Sequence, residues 1–513
     1  RGGKTFSPVA ERIELLCKRI KRWQCLQQLP NQEKRVTIVL HNNPCRGVEA
    51  TVGMAVGMDV MASLGRVVAA LRAKGYDVAD APEEGEEILK AIQERKAHSE
   101  LRWTTVDEIA RKGGDIHRVT LAEYQPYFDT LPSDVREKLV EDWDEFPGQG
   151  MVLEDEDPPC LLITGLVFGK LKIMVQPKRG CYGPKCTGEV CRILHDPNLS
   201  PPHHWLATYR YIQDTSDVVI HFGAEGALEY LPGKRAALSA SCFPEISLGD
   251  LPNLYVYCMD IPGEGLTAKR RGRAVIIDHL TPVYRPVELT EEASRLEDIL
   301  DQYQHAEEMG ESPRLKELAA ELPPLLKDLK LALDDYEGED LSEKLDLAKR
   351  QIASLKKTLA PEGMHVLGRA PDARQASLVL ASLLKKADHG LPALDDLAEK
   401  SAQPSGDDFQ DAAAYIQAIL DKTGGAQGML DLSLWCQDLR EKLDLAGFEI
   451  DQLLKGLDGR YMEANLGGSL LMGQTQALPS GRNFYAIDVS RLPSQAAWKI
   501  GCDLADDLLR NYL

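Results

Sequence analysis

The run Arg35-Val-Thr-Ile-Val-Leu40 constrains the fold more than any other stretch, because so short and β-branched an apolar segment reads as a buried strand. A Gly-rich loop follows from His41 to Gly57, and apolar periodicity predicts a helix around Val60–Lys74. Gly75-Tyr76-Asp77-Val78 reads as the start of the next strand. Strand, loop, helix and strand in that order is the pattern of a parallel α/β sheet, whose crossovers need helices. Further strands are expected in Cys160–Phe168, Leu171–Gln176, Val218–Phe222 and Val275–Ile277.

From about Val287 to Gly456 the character changes. Leu, Ala, Glu, Asp and Lys dominate, and apolar residues recur at helical spacing in Leu341–Leu359 and Ala373–Leu384. The charge runs there read as solvated faces. Leu478–Val489 returns to loop and strand before an amphipathic helix at Ala496–Leu513. A chain of 513 residues exceeds one ordinary core. The expected fold class is therefore α/β and multi-domain, with parallel-sheet portions and a large, mostly helical insertion or domain. The expected divisions are an α/β domain over 1–150, an α/β core carrying the site over 151–286, a helical region over 287–457, and a return segment over 458–513.

A net charge of −20 argues against a general nucleic-acid binder, since phosphate binding needs a basic footprint. An anionic small molecule would require a local basic pocket. Eleven cysteines are too sparse for a disulfide scaffold and fit a reducing compartment. No run approaches the ~18 consecutive apolar residues of a membrane helix. The chain opens on Arg1 with no charged-then-apolar leader, so the expectation is an internal or processed piece of a cytoplasmic protein.

Unusual side chains concentrate between 176 and 282. Gln176-Pro177-Lys178-Arg179-Gly180 follows a strand, then come His195-Asp196-Pro197 and Pro201-Pro202-His203-His204. His221-Phe222-Gly223-Ala224-Glu225-Gly226-Ala227-Leu228-Glu229 runs on into Leu231-Pro232-Gly233-Lys234. Imidazole and carboxylate at a strand's carboxyl end suit a borderline divalent metal or proton transfer near neutral pH, and ligands of α/β sheets sit at that end. His203-His204 also reads as an ordinary helix start. Gly226 to Gly233-Lys234 faintly resembles a phosphate loop, but six residues separate the glycines where four are needed, and Arg235 stands where Ser or Thr would hold magnesium.

Lys269-Arg270-Arg271, after a Gly-rich turn, is either surface charge on a helix or a docking site for substrate carboxylates, which Arg grips in pairs. Cys181, Cys186 and Cys191 have four residues between neighbours, whereas zinc and iron–sulfur sites commonly use two for at least one pair. Zinc or an iron–sulfur cluster with a fourth ligand from elsewhere, and free thiols, both remain open for them.

The ordered series His195-Asp196-Pro197, Pro201-Pro202-His203-His204, His221-Phe222-Gly223, Leu228-Glu229-Tyr230-Leu231-Pro232-Gly233-Lys234 and Leu238-Ser239-Ala240-Ser241-Cys242 resembles the large-subunit family shared by aerobic cobaltochelatase and magnesium chelatase. Pro262-Gly263-Glu264-Gly265 with Ala268-Lys269-Arg270-Arg271, and Ile277-Asp278-His279-Leu280-Thr281-Pro282, resemble the cobalt branch more. Gly363-Met364-His365-Val366-Leu367-Gly368 and Leu478-Pro479-Ser480-Gly481-Arg482-Asn483 extend the likeness over nearly the whole chain. Two departures stand out: Glu225 occupies the second His position of the family's His-x-Gly-x-His-Gly motif, and the three cysteines form an insertion.

The resemblance implies a ligase forming nitrogen–metal bonds in cobalamin biosynthesis, here as an internal fragment or truncated relative. Its substrates would be a divalent metal, cobalt ahead of magnesium or nickel, and a hydrogenobyrinate-type tetrapyrrole. AAA+ ATPase partner subunits would hydrolyse ATP. Glu229 and His221 would form the catalytic and metal-handling core with Glu225 assisting, and His203 and His204 as further ligands or relays. Arg179, Lys234, Lys269, Arg270, Arg271, Arg482 and Asn483 would meet the macrocycle's acidic side chains. A magnesium or nickel chelatase-like subunit, or a non-catalytic tetrapyrrole- or metal-binding protein, is the alternative.

Overall fold

The computed structural model of the chain describes residues 8–42, 52–99, 104–180, 198–223, 227–286, 291–308, 312–328, 345, 348–349, 359–361, 363–386, 391–402, 404–405, 407–421, 430–470, 473–485 and 495–512. It divides into two compact units, one built from 1–282 with 364–513 and the other from 283–363. The fold is mixed α/β, as the sequence pattern predicts.

The first unit is organised by a six-stranded sheet. Its strands are β1 (Val36–Leu40), β5 (Leu166–Phe168), β6 (Leu171–Val175), β7 (Val218–Phe222), β8 (Asn253–Cys258) and β9 (Val275–His279), in spatial order β5-β6-β1-β7-β8-β9. All ladders are parallel except the β5–β6 pair at the edge. A smaller antiparallel sheet has the order β2-β4-β3, from β2 (Asp115–Val119), β3 (Val152–Leu153) and β4 (Cys160–Thr164).

Alternation along the strands sends side chains to two covered faces, which explains why β1, β6, β7 and β8 are buried at every position and mostly apolar. Ile38, Leu40, Ile220 and Phe222 pack on one face with Leu64, Val67 and Leu71 of helix Val60–Ala73 and Leu453 and Leu457 of helix Glu449–Leu457. Val39, Met174 and Val219 pack on the other with Trp205, Tyr209 and Ile212 of helix His203–Thr215. The central strand β1 comes from the first 150 residues, yet its neighbours β6 and β7 come from the segment beyond 150.

The strand expected at Gly75–Val78 is absent. These residues turn after the helix, Tyr76 N donating back to Leu71 O at 3.0 Å and Val78 N to Tyr76 O at 3.1 Å, while Asp77 O accepts from Lys170 N at 2.8 Å. Both ladder positions beside β1 are already filled by β6 and β7, so no place remains for it. The tight junction of helices Val60–Ala73 and Gly85–Arg95 depends on Gly85, where an added Cβ would lie 1.7 Å from the Met61 carbonyl oxygen. Gly85→Ala is therefore expected to cost about 1–3 kcal/mol through forced separation of the helices, read as a lowered denaturation midpoint.

The Leu478–Arg482 loop covers the free edge of β9. Asp278 N donates to Arg482 O at 3.1 Å and Gly481 N donates to Asp278 O at 2.9 Å. The second unit has an antiparallel pair, β10 (Tyr284–Pro286) with β11 (Leu359–Pro361), and helices Glu291–Glu308 and Ser312–Asp328 joined by Leu296, Ile299, Leu300, Leu318 and Leu322. Helices from Ala373–Lys386 to Glu449–Leu457 belong to the first unit. β12 (Ala464–Leu466) pairs in parallel with β13 (Asn483–Tyr485), and helix Gln495–Tyr512 follows the latter. Among the described residues no helix is long and apolar enough to cross a membrane.

Candidate functional site

His221 lies on the same face of β7 as Val219, so its ring points toward helix His203–Thr215. There Tyr209 Oη sits 3.1 Å from His221 Nε2, and Gln176, just past β6, donates from Nε2 to Tyr209 Oη at 3.0 Å. On the other side Asn253 Oδ1, at the start of β8, is 2.7 Å from His221 Nδ1. Burial holds the imidazole down to about 4, against the pull of its Asn253 bond, so the ring is neutral at pH 7.

Beyond β7 the chain must turn sharply, and Gly223 makes this possible. Its φ is +125°, and a Cβ there would lie 2.4 Å from the Met54 carbonyl oxygen. A short 3-10 turn, Ala227–Tyr230, then places Glu229 in the interior. His221, Glu229, Asn253, Tyr255, Leu228, Ala268 and Gly272 line one pocket, too tight to admit a water-sized sphere. The Glu229 charge also reaches Tyr209, Tyr257 and Arg271. Burial holds both phenols above their ordinary range, the bond to Glu264 adds to this at Tyr257, and the Glu229 charge contributes a smaller push at each.

The two neighbouring histidines do different work from that expected. His203 Nδ1 meets Tyr124 Oη at 3.0 Å and its Nε2 meets Asp144 O at 3.0 Å, inside a nest of Tyr124, Phe128 and Phe146. With both nitrogens engaged, His203 cross-links these segments, and ligating a metal would require it to give up one of those bonds. His204 Nε2 meets Leu162 O at 3.0 Å, deep against β4, where burial lowers its pKa to about 4. Glu225, His195, Cys181, Cys186 and Cys191 lie outside the described residues. Among the described residues, no three His, Cys, Asp or Glu side chains gather as a metal site.

The basic residues also separate. Arg271 is buried and donates to the carbonyls of Leu231, Gly233 and Lys234, clamping the Leu-Pro-Gly-Lys turn. Gripping a substrate carboxylate would break that clamp, so the docking role expected for Arg271 does not fit. Lys234 and Arg270 are exposed. Lys269 Nζ lies 4.1 Å over the Tyr485 ring and bonds to Asn483 Oδ1, which also accepts from Ile276 N at 3.0 Å. Burial lowers the Lys269 pKa to about 8. Arg482 Nη1 is 3.3 Å from Glu463 Oε2, and Arg179 is buried beyond β6.

Sequence reasoning missed the polar supports. Tyr209 lies on the buried face of helix His203–Thr215, where nothing in the sequence sets it apart from a core aromatic. Asn253 carried a visible signal, a buried amide opening an otherwise apolar strand. A second buried network centres on Glu449. Its Oε1 accepts from Leu280 N at 3.2 Å and Ser480 Oγ at 2.6 Å, and its Oε2 accepts from Gly368 N at 3.0 Å and meets His365 Nε2 at 2.7 Å. His279 and His365 stack with centroids 6.0 Å apart.

His41, His204, His221 and His279 are all held near 4 by burial. Unfolding returns each to about 6.5, so the unfolded chain binds the extra protons. Their contribution to stability is full above about pH 6.5 and is lost as pH falls from there toward 4. Calorimetry near pH 5 is expected to show uptake of close to one proton per buried imidazole on unfolding, and His204→Gln is expected to remove one.

The model of the family described as CobN/Magnesium Chelatase matches residues 1–513. An uncharacterized protein of Methanocaldococcus jannaschii is 35% identical over 98% of this chain and 43% of its own length. The aerobic cobaltochelatase subunit CobN of Pseudomonas aeruginosa is 32% identical over 98% of this chain and 43% of its own. The chloroplastic magnesium-chelatase subunit ChlH of Oryza sativa subsp. indica is 27% identical over 99% of this chain and 39% of its own. The solved catalytic subunit of cobaltochelatase from Mycobacterium tuberculosis superimposes with a TM-score of 0.70 at 30% identity, covering 99% of this chain and 44% of that one. The chain thus spans less than half the length of these relatives. On a match over its whole length, this chain belongs to the CobN/magnesium chelatase family.

Proposed function

We propose that this chain is the metal- and macrocycle-handling part of a large chelatase subunit, which places a divalent cation, cobalt first, into a corrin-type tetrapyrrole. The observation that carries the reading is the shared pocket of His221 and Glu229, an imidazole and a carboxylate in one dry space. Insertion exchanges one dication for two pyrrolic protons. The negative charge of Glu229, unscreened by water, favours the incoming cation; its carboxylate then accepts one of the two protons, and His221 Nε2 accepts the second once the Tyr209 hydroxyl moves aside. The ring's own nitrogens supply the metal's final ligands, so the protein needs only a partial set, to which Glu225 is the added candidate. As arranged, His221 Nε2 faces Tyr209, and direct ligation would displace that hydroxyl.

Lys234, Arg270, Lys269, Arg179, Arg482 and Asn483 are candidates for the macrocycle's carboxylates. The pocket is closed, so admitting a ring requires it to open, and AAA+ partner subunits that hydrolyse ATP would drive that opening. The Pseudomonas aeruginosa cobaltochelatase relative at 32% identity, against 27% for the Oryza sativa magnesium-chelatase relative, supports placing cobalt first. The full-length protein, mixed with its ATPase partners and ATP, is expected to load cobalt into metal-free hydrogenobyrinate-type substrate and to leave protoporphyrin unmetallated, followed by visible absorbance. Loading of magnesium into protoporphyrin instead would assign the protein to the magnesium branch. Tight macrocycle binding without any insertion would make it a carrier.

A further inference from the structure

We infer that Asn253 and Tyr209 are positioning residues that lock His221 into a single tautomer, protonated on Nδ1 and bare on Nε2, with Gln176 holding the far end of the chain. The inference rests on the chelatase reading for its functional half and on geometry alone for its tautomer half. Asn253 settles the direction. Its side chain contacts the Gly272 carbonyl at 2.8 Å, and a carbonyl can only accept, so the amide NH2 must point there. That leaves Asn253 Oδ1 facing His221 Nδ1 at 2.7 Å, and an amide oxygen likewise only accepts, so Nδ1 carries the proton. In the neutral ring Nε2 is then the lone pair, and the Tyr209 hydroxyl donates to it across 3.1 Å. The Tyr209 oxygen in turn accepts from Gln176 Nε2 at 3.0 Å, and, with its one proton given to His221, the Gln176 Oε1, 3.3 Å away, is the longer, competing acceptor.

Every group in this row is buried, from Gln176 through Tyr209 and His221 to Asn253, so no solvent competes for any link. Gly272 closes helix Pro262–Gly272, the helix that also carries Lys269, Arg270 and Arg271. The tautomer of His221 is therefore set from the same helix whose Ala268 and Gly272 wall the Glu229 pocket. The consequence is a division of labour. Glu229 is the group presented to the pocket as proton acceptor. His221 is held as an oriented neutral dipole, its basic nitrogen reserved by Tyr209 until that hydroxyl moves.

The test is a spectroscopic one on the intact chain labelled with 15N-histidine, His221 being assigned by difference against His221→Gln. The expected result is a protonated Nδ1 and a bare Nε2. Tyr209→Phe keeps the ring packing and is expected to shift only the Nε2 resonance. Asn253→Leu is expected to release the tautomer, and Asn253→Asp, which keeps an acceptor at the same place, to restore it. A proton on Nε2 in the unaltered chain overturns the inference, whether or not the protein inserts metal. In the full-length protein, Asn253→Leu is expected to lower the insertion kcat about 10- to 100-fold with the KM for hydrogenobyrinate-type substrate changed far less, as for other partners that orient a functional histidine through its far nitrogen. An unchanged kcat with the tautomer as expected would remove the positioning role. Failure of the chelatase reading would show differently, as absent insertion in the unaltered protein with the tautomer intact.

Discussion

Replacing Glu229 with Gln is expected to slow metal insertion at least about 100-fold while leaving macrocycle affinity within a few-fold of the parent. Gln fills the same volume and can still hydrogen-bond, so the fold around Leu228 and Tyr255 should persist. What it loses is the negative charge and the ability to take a proton from a pyrrole nitrogen. Both losses fall on the transition state, in which the dication arrives as protons depart, so the effect belongs in kcat. The pocket is too tight for water, so no solvent molecule stands ready to substitute as base. Fluorescence titration with the metal-free macrocycle gives the affinity, and absorbance of the metallated product gives the rate. A rate within ten-fold of the parent would show that Glu229 is not the acceptor. A parallel change in His279, remote in the chain and bonded through Nδ1 to the Leu280 carbonyl, provides a control for general damage to the sheet's carboxyl edge.

Much of this arrangement was visible in the residues, for a physical reason. Strands such as Val36–Leu40 and Val218–Phe222 are covered on both faces, so each is apolar but for one buried polar residue, Thr37 and His221 respectively, a pattern that no surface element would tolerate. His221 and Glu229 stand out as candidates in the sequence because a polar group inside or shortly after so apolar a run has few structural reasons to be there. The misreadings share another cause. His203 is satisfied by Tyr124 and by the Asp144 carbonyl, partners some 60 to 80 positions distant. Arg271 is consumed by carbonyls 37 to 40 positions away. Nothing local distinguishes a histidine awaiting a metal from one already bonded by a remote segment. The expected strand at Gly75–Val78 failed similarly, because competition for the two sides of β1 is decided by β6 and β7 far along the chain.

The Glu449 network is the extreme case of such long-range assembly, and it sets the largest expected effect on stability. Glu449→Leu is expected to destabilise the first unit by about 3–5 kcal/mol, because it strips the acceptor from several buried donors at once. The carboxylate is fully buried and joins four remote groups: Leu280 N, where the chain leaves for the second unit, Gly368 N and the His365 ring, where it returns, and Ser480 Oγ. Leucine matches its bulk but leaves those donors dry and unmatched. Glu449→Gln, which retains acceptor capacity without charge, should fall between the parent and Leu. The pH dependence follows from the same contacts. Burial alone would push the Glu449 carboxyl up, but His365, Ser480 and Gly368 together outweigh it and hold the pKa below its ordinary 4.5. A carboxyl depressed in the folded state stabilises fully above about pH 4.5 and loses that contribution as pH falls through its folded value. The stability gap between parent and Glu449→Gln should accordingly narrow below that pH, as measured by urea midpoints across an acid series. A gap that stayed constant, or widened, would mean that Glu449 is neutral in the fold and that His365 bonds to an acid and not to an anion.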